Sequence, residues 1–423
     1  VTSAFRPNPS DPFDADPPAR APHNSPTKFD AWLETHRDDL LELVRRLVSF
    51  PSINRPPRGD EGPCQDFVAG YLAALGLEPD VFRPDDVDGA ADHPAWWPGR
   101  NYAGRPNVVA RLHGCSDGGR SLLFSGHVDV VPAIGQSTHG YWDGVVEDGR
   151  LYGRGAMDMK GGVACYLHAL RCLVECGSPL VGDLLVETTV DEEFGGANGT
   201  LACRLRGHNA DGAVLAEPTG LAVCHATRGG IQYRLHARGA RSGMDFGDRV
   251  EPSALHTIAR LSVALTAAVQ DRSAPIRQFL LRSGDELPWG IPSTGVLEFW
   301  AEIPPGTSRA ELESELRAIV GRAGSDAVEV EWELRTRFLE AFDGDPQAPI
   351  VAAMRAALDD PDASPTTAPF ACDAFMFSGY SPVVVCGPGG DNPHAPDEYV
   401  LTDHLHTLST AYVRLALDWC GVA

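Results

Sequence analysis

The sequence predicts an α/β protein in two parts: a large sheet-and-helix body with a small α+β unit inserted in it. Three observations predict this. Apolar runs of strand length alternate with longer stretches of helical periodicity, the pattern of a sheet covered by helices. Near Arg228 the pattern changes to alternating strands, and it reverts after Phe338. Metal-type side chains end strand-like runs on both sides of that interruption: His127, Asp129, Asp158, Glu192, Glu193 and Glu217 before it, His394 after it. His394 therefore belongs with the first part. The expected division is 28–227 with 338–423 as one domain, 228–337 as the inserted one, and 1–27 as a disordered Pro- and Asp-rich lead. A chain of 423 residues exceeds what one core usually supports.

Taken in order, Phe29–Phe50 is predicted as one helix. Phe29, Trp32, Leu33, Leu40, Leu41, Val44, Leu47 and Val48 recur at helical spacing, and Pro51 stops it. A second helix spans Gln65–Leu75. Segments 107–114 and 121–131 read as a strand pair. Met159–Cys176 is a helix with a Gly-rich start, and strands at 184–190 and 213–216 follow. In the insertion, 230–239, 294–303 and 327–335 are strands, and Pro252–Val269 and Ser308–Val320 are helices. That β-α-β-α-β order suits a small sheet with helices on one face. Helix Pro349–Leu358, strand 382–386 and a last helix at Asp403–Trp419 complete the large part.

Composition narrows the function classes. A net charge of −23 argues against nucleic acid or an anionic membrane as partner. No apolar stretch approaches the roughly 18–20 residues that span a membrane. The first residues lack the apolar core of a secretory signal. The ten cysteines form no CxxC pair and no compact framework. Together these predict a reduced, cytoplasmic protein.

The strand-end residues suggest chemistry. Two histidines with several carboxylates suit zinc or another divalent ion of intermediate softness. His127 and Asp129 are two apart and share a face, so one can ligate while the other orients it. Glu192 and Glu193 form an acid pair in which one can bind metal and the other move a proton; the sequence alone does not choose between them. Singly, each residue has a structural reading: Asp158 as a helix cap, Glu217 before Pro218 as a turn residue. Jointly, they stand where open α/β sheets place ligands, at the carboxyl ends of strands.

SGHVDVVP, GRGAMDMKGG, DEEFGG, AEPT and GPGGDNPHAPDEYV resemble the successive signatures of the M20 metallopeptidase/deacylase family. NYAGRPNVVARL and DEEFGGANGTL resemble its acetylornithine deacetylase-like branch most. The resemblance runs over nearly the whole chain after residue 28. It implies a zinc-peptidase-like catalytic domain with a central mixed sheet, and a lid that also forms a homodimer. It implies two divalent ions, with zinc expected and cobalt or manganese as alternatives. His127 and Glu217 would serve one ion, Glu193 and His394 the other, and Asp158 would bridge them. A metal-bridged hydroxide would cleave the amide of an N-acyl amino acid or small peptide. Glu192 would act as general base and acid, and Asp129 would orient His127. Asp373 matches a further acid of the family, in a supporting place.

Two departures from the family pattern stand out. Gly243, in GARSGMDF, occupies the place of a lid histidine that donates to the oxyanion. Glu302, in FWAEIPPG, stands where a substrate-binding arginine falls. Arg241 or Arg249 is the candidate replacement donor. The rim loop 132–144 lacks the family's Trp…Pro-Phe run, and His139, His236 and His256 read as surface or core residues. The departures keep two alternatives in view. One is a metal-binding member with altered, non-hydrolytic or no catalysis. The other is a carboxypeptidase or dipeptidase.

Overall fold

The computed structural model describes residues 27–116, 118–177, 180–239, 253–284 and 290–423. Arg241, Gly243 and Arg249, like the first 26 residues, lie outside the described residues.

In chain order, α1 (Lys28–Thr35) and α2 (Arg37–Val48) lead to a hairpin of β1 (Asn54–Arg55) and β2 (Arg58–Gly59), then α3 (Gly62–Ala74). There follow β3 (Asp80–Phe82), β4 (Asn107–Leu112), β5 (Leu122–His127), β6 (Val145–Glu147), β7 (Arg150–Tyr152) and α4 (Gly161–Glu175). Next come β8 (Leu184–Thr189), α5 (Asn198–Leu205), β9 (Gly212–Leu215) and β10 (Cys224–Thr227). β11 (Gly229–Gly239), α6 (Ala254–Ala268), β12 (Ile276–Ser283), β13 (Thr294–Ile303), α7 (Arg309–Ala323) and β14 (Val328–Leu334) make the second part. The chain returns through α8 (Pro349–Ala357), β15 (Thr366–Ala368), β16 (Val383–Val385), β17 (Gly390–Asp391), β18 (Tyr399–Leu401) and α9 (Thr402–Cys420).

A mixed eight-stranded sheet runs β15-β10-β16-β9-β5-β8-β4-β3. Its centre is parallel: β5 pairs in parallel with β8 and β9, and β9 with β16. β5, β8 and β9 are buried along their whole length. Strands covered on both faces must be apolar throughout, which is why LLF and LLV read as continuous runs. α4 covers one face so fully that Gly161–Leu170 and Leu173 are buried, and Phe124 of β5 packs against Tyr166 of α4 and Tyr412 of α9.

The second sheet runs β12-β13-β11-β14, all antiparallel. α6 and α7 pack on one face through Leu261, Leu265, Leu312 and Leu316, against Ile231, Leu235, Leu297 and Phe299. A third, small sheet, β17-β18-β7-β6, sets Tyr399 opposite Tyr152. That pairing brings the segment after His394 beside the loop that carries Asp158.

Three expectations are revised. The first helix is two, because His36 leaves helical geometry (φ −109°, ψ 24°). Its N–H and its ring Nδ1 both lie on the Trp32 carbonyl, at 3.0 and 2.7 Å. Segments 107–114 and 121–131 are not a pair: β8 lies between β4 and β5, antiparallel to one and parallel to the other. Sequence neighbours are sheet neighbours only about two-thirds of the time. The small sheet also gains a fourth strand, β12, giving β-α-β-β-α-β. A register shift between Gln278 and Leu280 breaks the alternation there, and the strand is mostly exposed, so no period-two signal survives. Among the described residues, no helix is long and apolar enough to cross a membrane.

Candidate metal centre

Four parallel strands point their carboxyl ends to one edge of the large sheet, and the loops beyond them carry the polar residues. β5 ends on His127, and β9 leads within two residues to Glu217. β8 leads to Glu192 and Glu193, and β16 to the loop bearing His394. Asp158 comes from the turn before α4. It does not cap that helix; the cap position is Lys160, and Asp158 itself has extended geometry (φ −119°, ψ 95°). Gly162, at the start of α4, allows the helix to close on β9. A Cβ there would lie 2.2 Å from the Ala216 carbonyl oxygen, next to Glu217.

Asp158 stands between the two imidazoles. Its Oδ1 is 3.2 Å from His127 Nε2, and its Oδ2 is 3.2 Å from His394 Nε2. Glu193 Oε2 is 2.9 Å from His394 Nε2. Glu217 and Glu192 each come within 3.7 Å of His127 Nε2. The ligand atoms of His127, Asp158 and Glu193 lie within 4.8 Å of one another, as do those of His127, Glu192 and Glu217.

The tautomer of His127 follows from its other nitrogen. Nδ1 lies 2.9 Å from the Asp129 backbone carbonyl, which can only accept. Nδ1 therefore carries a proton, and Nε2 is the nitrogen turned to the carboxylates, the one a metal would take in place of a proton. The Asp129 carboxylate is farther from that ring, at 3.7 Å. Its Oδ2 instead accepts the backbone N–H groups of Glu192 and Glu193, each at 3.0 Å, and Asn54 Nδ2 at 2.8 Å.

Burial drives the Glu192, Glu193 and Glu217 carboxyls upward, and the neighbouring acids push the same way. Burial works to lower both histidines, but the carboxylates around them win and pull both up. Burial would raise Asp158 too; the two imidazoles bring it down instead. Glu193 Oε1 is buried with no hydrogen-bond partner among the described residues. Such crowding of buried acids is stabilised by cations, and two imidazoles with carboxylates form a donor set that fits divalent ions of the zinc type.

Asp373 lies behind the cluster. Its Oδ2 accepts from Thr200 Oγ1 at 2.5 Å, and burial pushes it up to about 7. His139 stays on the rim, stacked on Tyr152 at 3.7 Å. His236 pairs with Glu333 and His256 sits by Ser253; neither joins the cluster. Glu302 faces a cavity of about 450 Å³ that also includes Asp158, Glu192, Glu193, Glu217 and His394. Arg228 holds Glu302 at 3.1 Å, and Arg277 of β12 pairs with its other oxygen.

Sequence reasoning passed over three residues here. Asn54 supports Asp129, and Arg277 sits on the strand that was missed. Glu398 binds the backbone N–H groups of Gly155, Met157 and Asp158 at 3.0, 3.1 and 3.2 Å, and pairs with Arg154 at 2.5 Å. Its signal was an acid four residues after His394 that looked like a surface charge.

The profile of peptidase family M20/M25/M40 matches residues 123–418. A succinyl-diaminopimelate desuccinylase of Methylobacterium radiotolerans is 30% identical over 397 residues, 89% of this chain and 96% of that protein. An N-formyl-4-amino-5-aminomethyl-2-methylpyrimidine deformylase of Bacillus subtilis is 37% identical over 194 residues, 45% of this chain and 41% of that protein. Human carnosine dipeptidase 1 has a similar fold, with a TM-score of 0.71 at 16% identity, covering 93% of this chain and 99% of that one.

Proposed function

This chain belongs to peptidase family M20/M25/M40, and from that premise we propose how its residues carry out metal-dependent amide hydrolysis on a small N-acyl amino acid or peptide. The single observation that carries the reading is Asp158, with one oxygen 3.2 Å from each of two imidazoles. His127 and Glu217 would hold one divalent ion, Glu193 and His394 the other, and Asp158 would serve both. Zinc suits the donor set best, with cobalt or manganese as alternatives. When bound, such ions polarise the carbonyl and lower the pKa of water.

Glu192 is the proton carrier. It is half-buried beside the proposed ligands, with its carboxylate 3.7 Å from His127 Nε2. Its carboxylate takes the proton of the attacking water as the C–O bond forms. It gives that proton to the amide nitrogen as the C–N bond breaks. Asp129 aims the pair by holding the backbone at Glu192 and Glu193. Arg241 remains the proposed lid donor to the oxyanion.

We read 228–337 as a lid and homodimer surface, supported by its separate apolar core and by exposed Val263 and Leu281. Ten unpaired cysteines support a reducing, cytoplasmic setting. A second substrate reading, an N-acyl amine on an aromatic heterocycle, is favoured by the aromatic side chains around the cavity and by the deformylase relative. The test is turnover of N-acetyl, N-succinyl and N-formyl amides and dipeptides by protein loaded with zinc, cobalt or manganese. Hydrolysis of at least one class, abolished by chelation, is expected. No turnover with any pairing would remove the reading.

A further inference from the structure

The cavity over the metal ligands has a second wall, and that wall is built from one face of the four-stranded sheet. Successive side chains on a strand point to opposite faces. On β13, Leu297, Phe299, Ala301 and Ile303 enter the core under α6 and α7. Glu298, Trp300 and Glu302 therefore share the other face. Gln232 of β11 lies opposite Trp300 in the register, and Gly230 lies opposite Glu302.

The polar groups of this wall are spent on one another. Glu298 accepts from Gln232 Nε2 at 2.5 Å and from Arg234 Nε at 2.8 Å. Both oxygens of Glu302 are taken, one by Arg228 and one by Arg277. The rest of the wall is largely aromatic. Trp300 and Phe279 line the cavity from this sheet, and Phe194 and Phe370 line it from the segments beside the metal ligands. Phe279 is 59% exposed. The place of Trp300 depends on Gly230: a Cβ there would meet the indole Cζ2 at 2.5 Å. The ring thus lies close over bare backbone.

We propose that this wall is a stacking platform, and that the substrate carries a planar aromatic or heteroaromatic ring, next to the scissile amide, that lies against Trp300 and Phe279. The proposal rests on the amide-hydrolysis reading and names its substrate class. An aromatic ring gains most from offset or edge contacts with other rings, and it needs no counter-charge from a wall whose charges are already paired. A second substrate carboxylate would be set beside Glu302, an acid that already shares the Arg277 guanidinium.

The test uses metal-loaded enzyme and two pairs of amides that differ only in ring saturation. One is N-acetylphenylalanine against N-acetylcyclohexylalanine; the other is N-acetylbenzylamine against N-acetylcyclohexylmethylamine. The expected result is a kcat/KM about 5- to 10-fold higher for the aromatic member of at least one pair. Trp300→Leu should bring that ratio close to one, because turnover of the aromatic member falls more than that of the saturated one. A wild-type ratio of one in both pairs overturns the proposal, as does a ratio that Trp300→Leu leaves intact. A clear preference for the aliphatic diacid amide N-succinyl-leucine over both aromatic amides also overturns it. Should none of these amides turn over, the amidohydrolase reading fails separately, and binding decides the wall. Tighter binding of the aromatic members, weakened in Trp300→Leu, supports the platform, and equal or absent binding of both members overturns it.

Discussion

The backbone N–H of Asp158 donates to the carboxylate of Glu398 at 3.2 Å, and Glu398 lies four residues after His394. One side chain thus ties the loop of Asp158 to the segment of His394, on the far side of the insertion. Three backbone amides and Arg154 share that carboxylate, which is buried. Groups that hold ligands in place typically contribute 10- to 100-fold to metal affinity or activity.

Glu398→Ala is therefore expected to weaken metal binding by about 10- to 100-fold. Glu398→Gln keeps one acceptor oxygen for the amides and loses the charge facing Arg154, so it should fall between Ala and wild type. Metal competition titrations with a chromophoric chelator measure both. Wild-type affinity in the Ala variant would show that the loop holds its shape unaided.

Asp158→Ala should remove at least one equivalent of metal and abolish turnover. The loss follows from geometry, since each oxygen faces a different imidazole. Elemental analysis after gel filtration gives the stoichiometry. Two equivalents retained in an active variant would defeat the bridging role.

The acid pair separates by phenotype. Glu192→Gln keeps shape and removes the base, so it should hold metal and lose at least about 10²-fold in kcat. Glu193→Gln should lose metal instead, because Glu193 lies 2.9 Å from His394 Nε2. Reversed phenotypes would exchange the two assignments.

Gly162→Ala places a methyl against the Ala216 carbonyl, one residue before Glu217. Overpacking of that kind costs about 1–3 kcal/mol. A lower melting temperature and weaker metal binding are expected together. Unchanged values for both would mean that α4 can shift without cost.

His168 supplies a pH dependence away from the metal ligands. It is buried, with Nδ1 2.9 Å from Ser409 Oγ and Nε2 3.1 Å from the His36 carbonyl. Burial pulls it down to about 4. Between pH 6.5 and 4 the unfolded chain takes a proton that the folded chain resists, so stability falls as pH falls through that window. From pH 7.5 to 5 the loss attributable to this residue is about 2 kcal/mol. Urea unfolding at both pH values should show a smaller acid loss in His168→Asn than in wild type; equal losses would clear His168 of the effect.

The candidate ligands on β5, β8 and β9 were legible because each ends or closely follows an apolar run. A strand buried on both faces must be apolar, and its end is where polarity can resume, so β5, β8 and β9 pointed to His127, the Glu192–Glu193 pair and Glu217 in one dimension. The sequence by itself thus determined the α/β class, the family and most of the helices. The tertiary structure alone decided that β8 separates β4 from β5, and that β12 forms an edge with a register shift. It also decided that Asp129 grips the Glu192–Glu193 backbone, that Glu398 holds Asp158, and that the charges around Trp300 pair off. The physical reason is range. Periodicity records how one segment meets its own environment over a few residues. Strand order and ligand support are set by contacts between segments 60 to 240 residues apart, whose free energies leave no period in either partner.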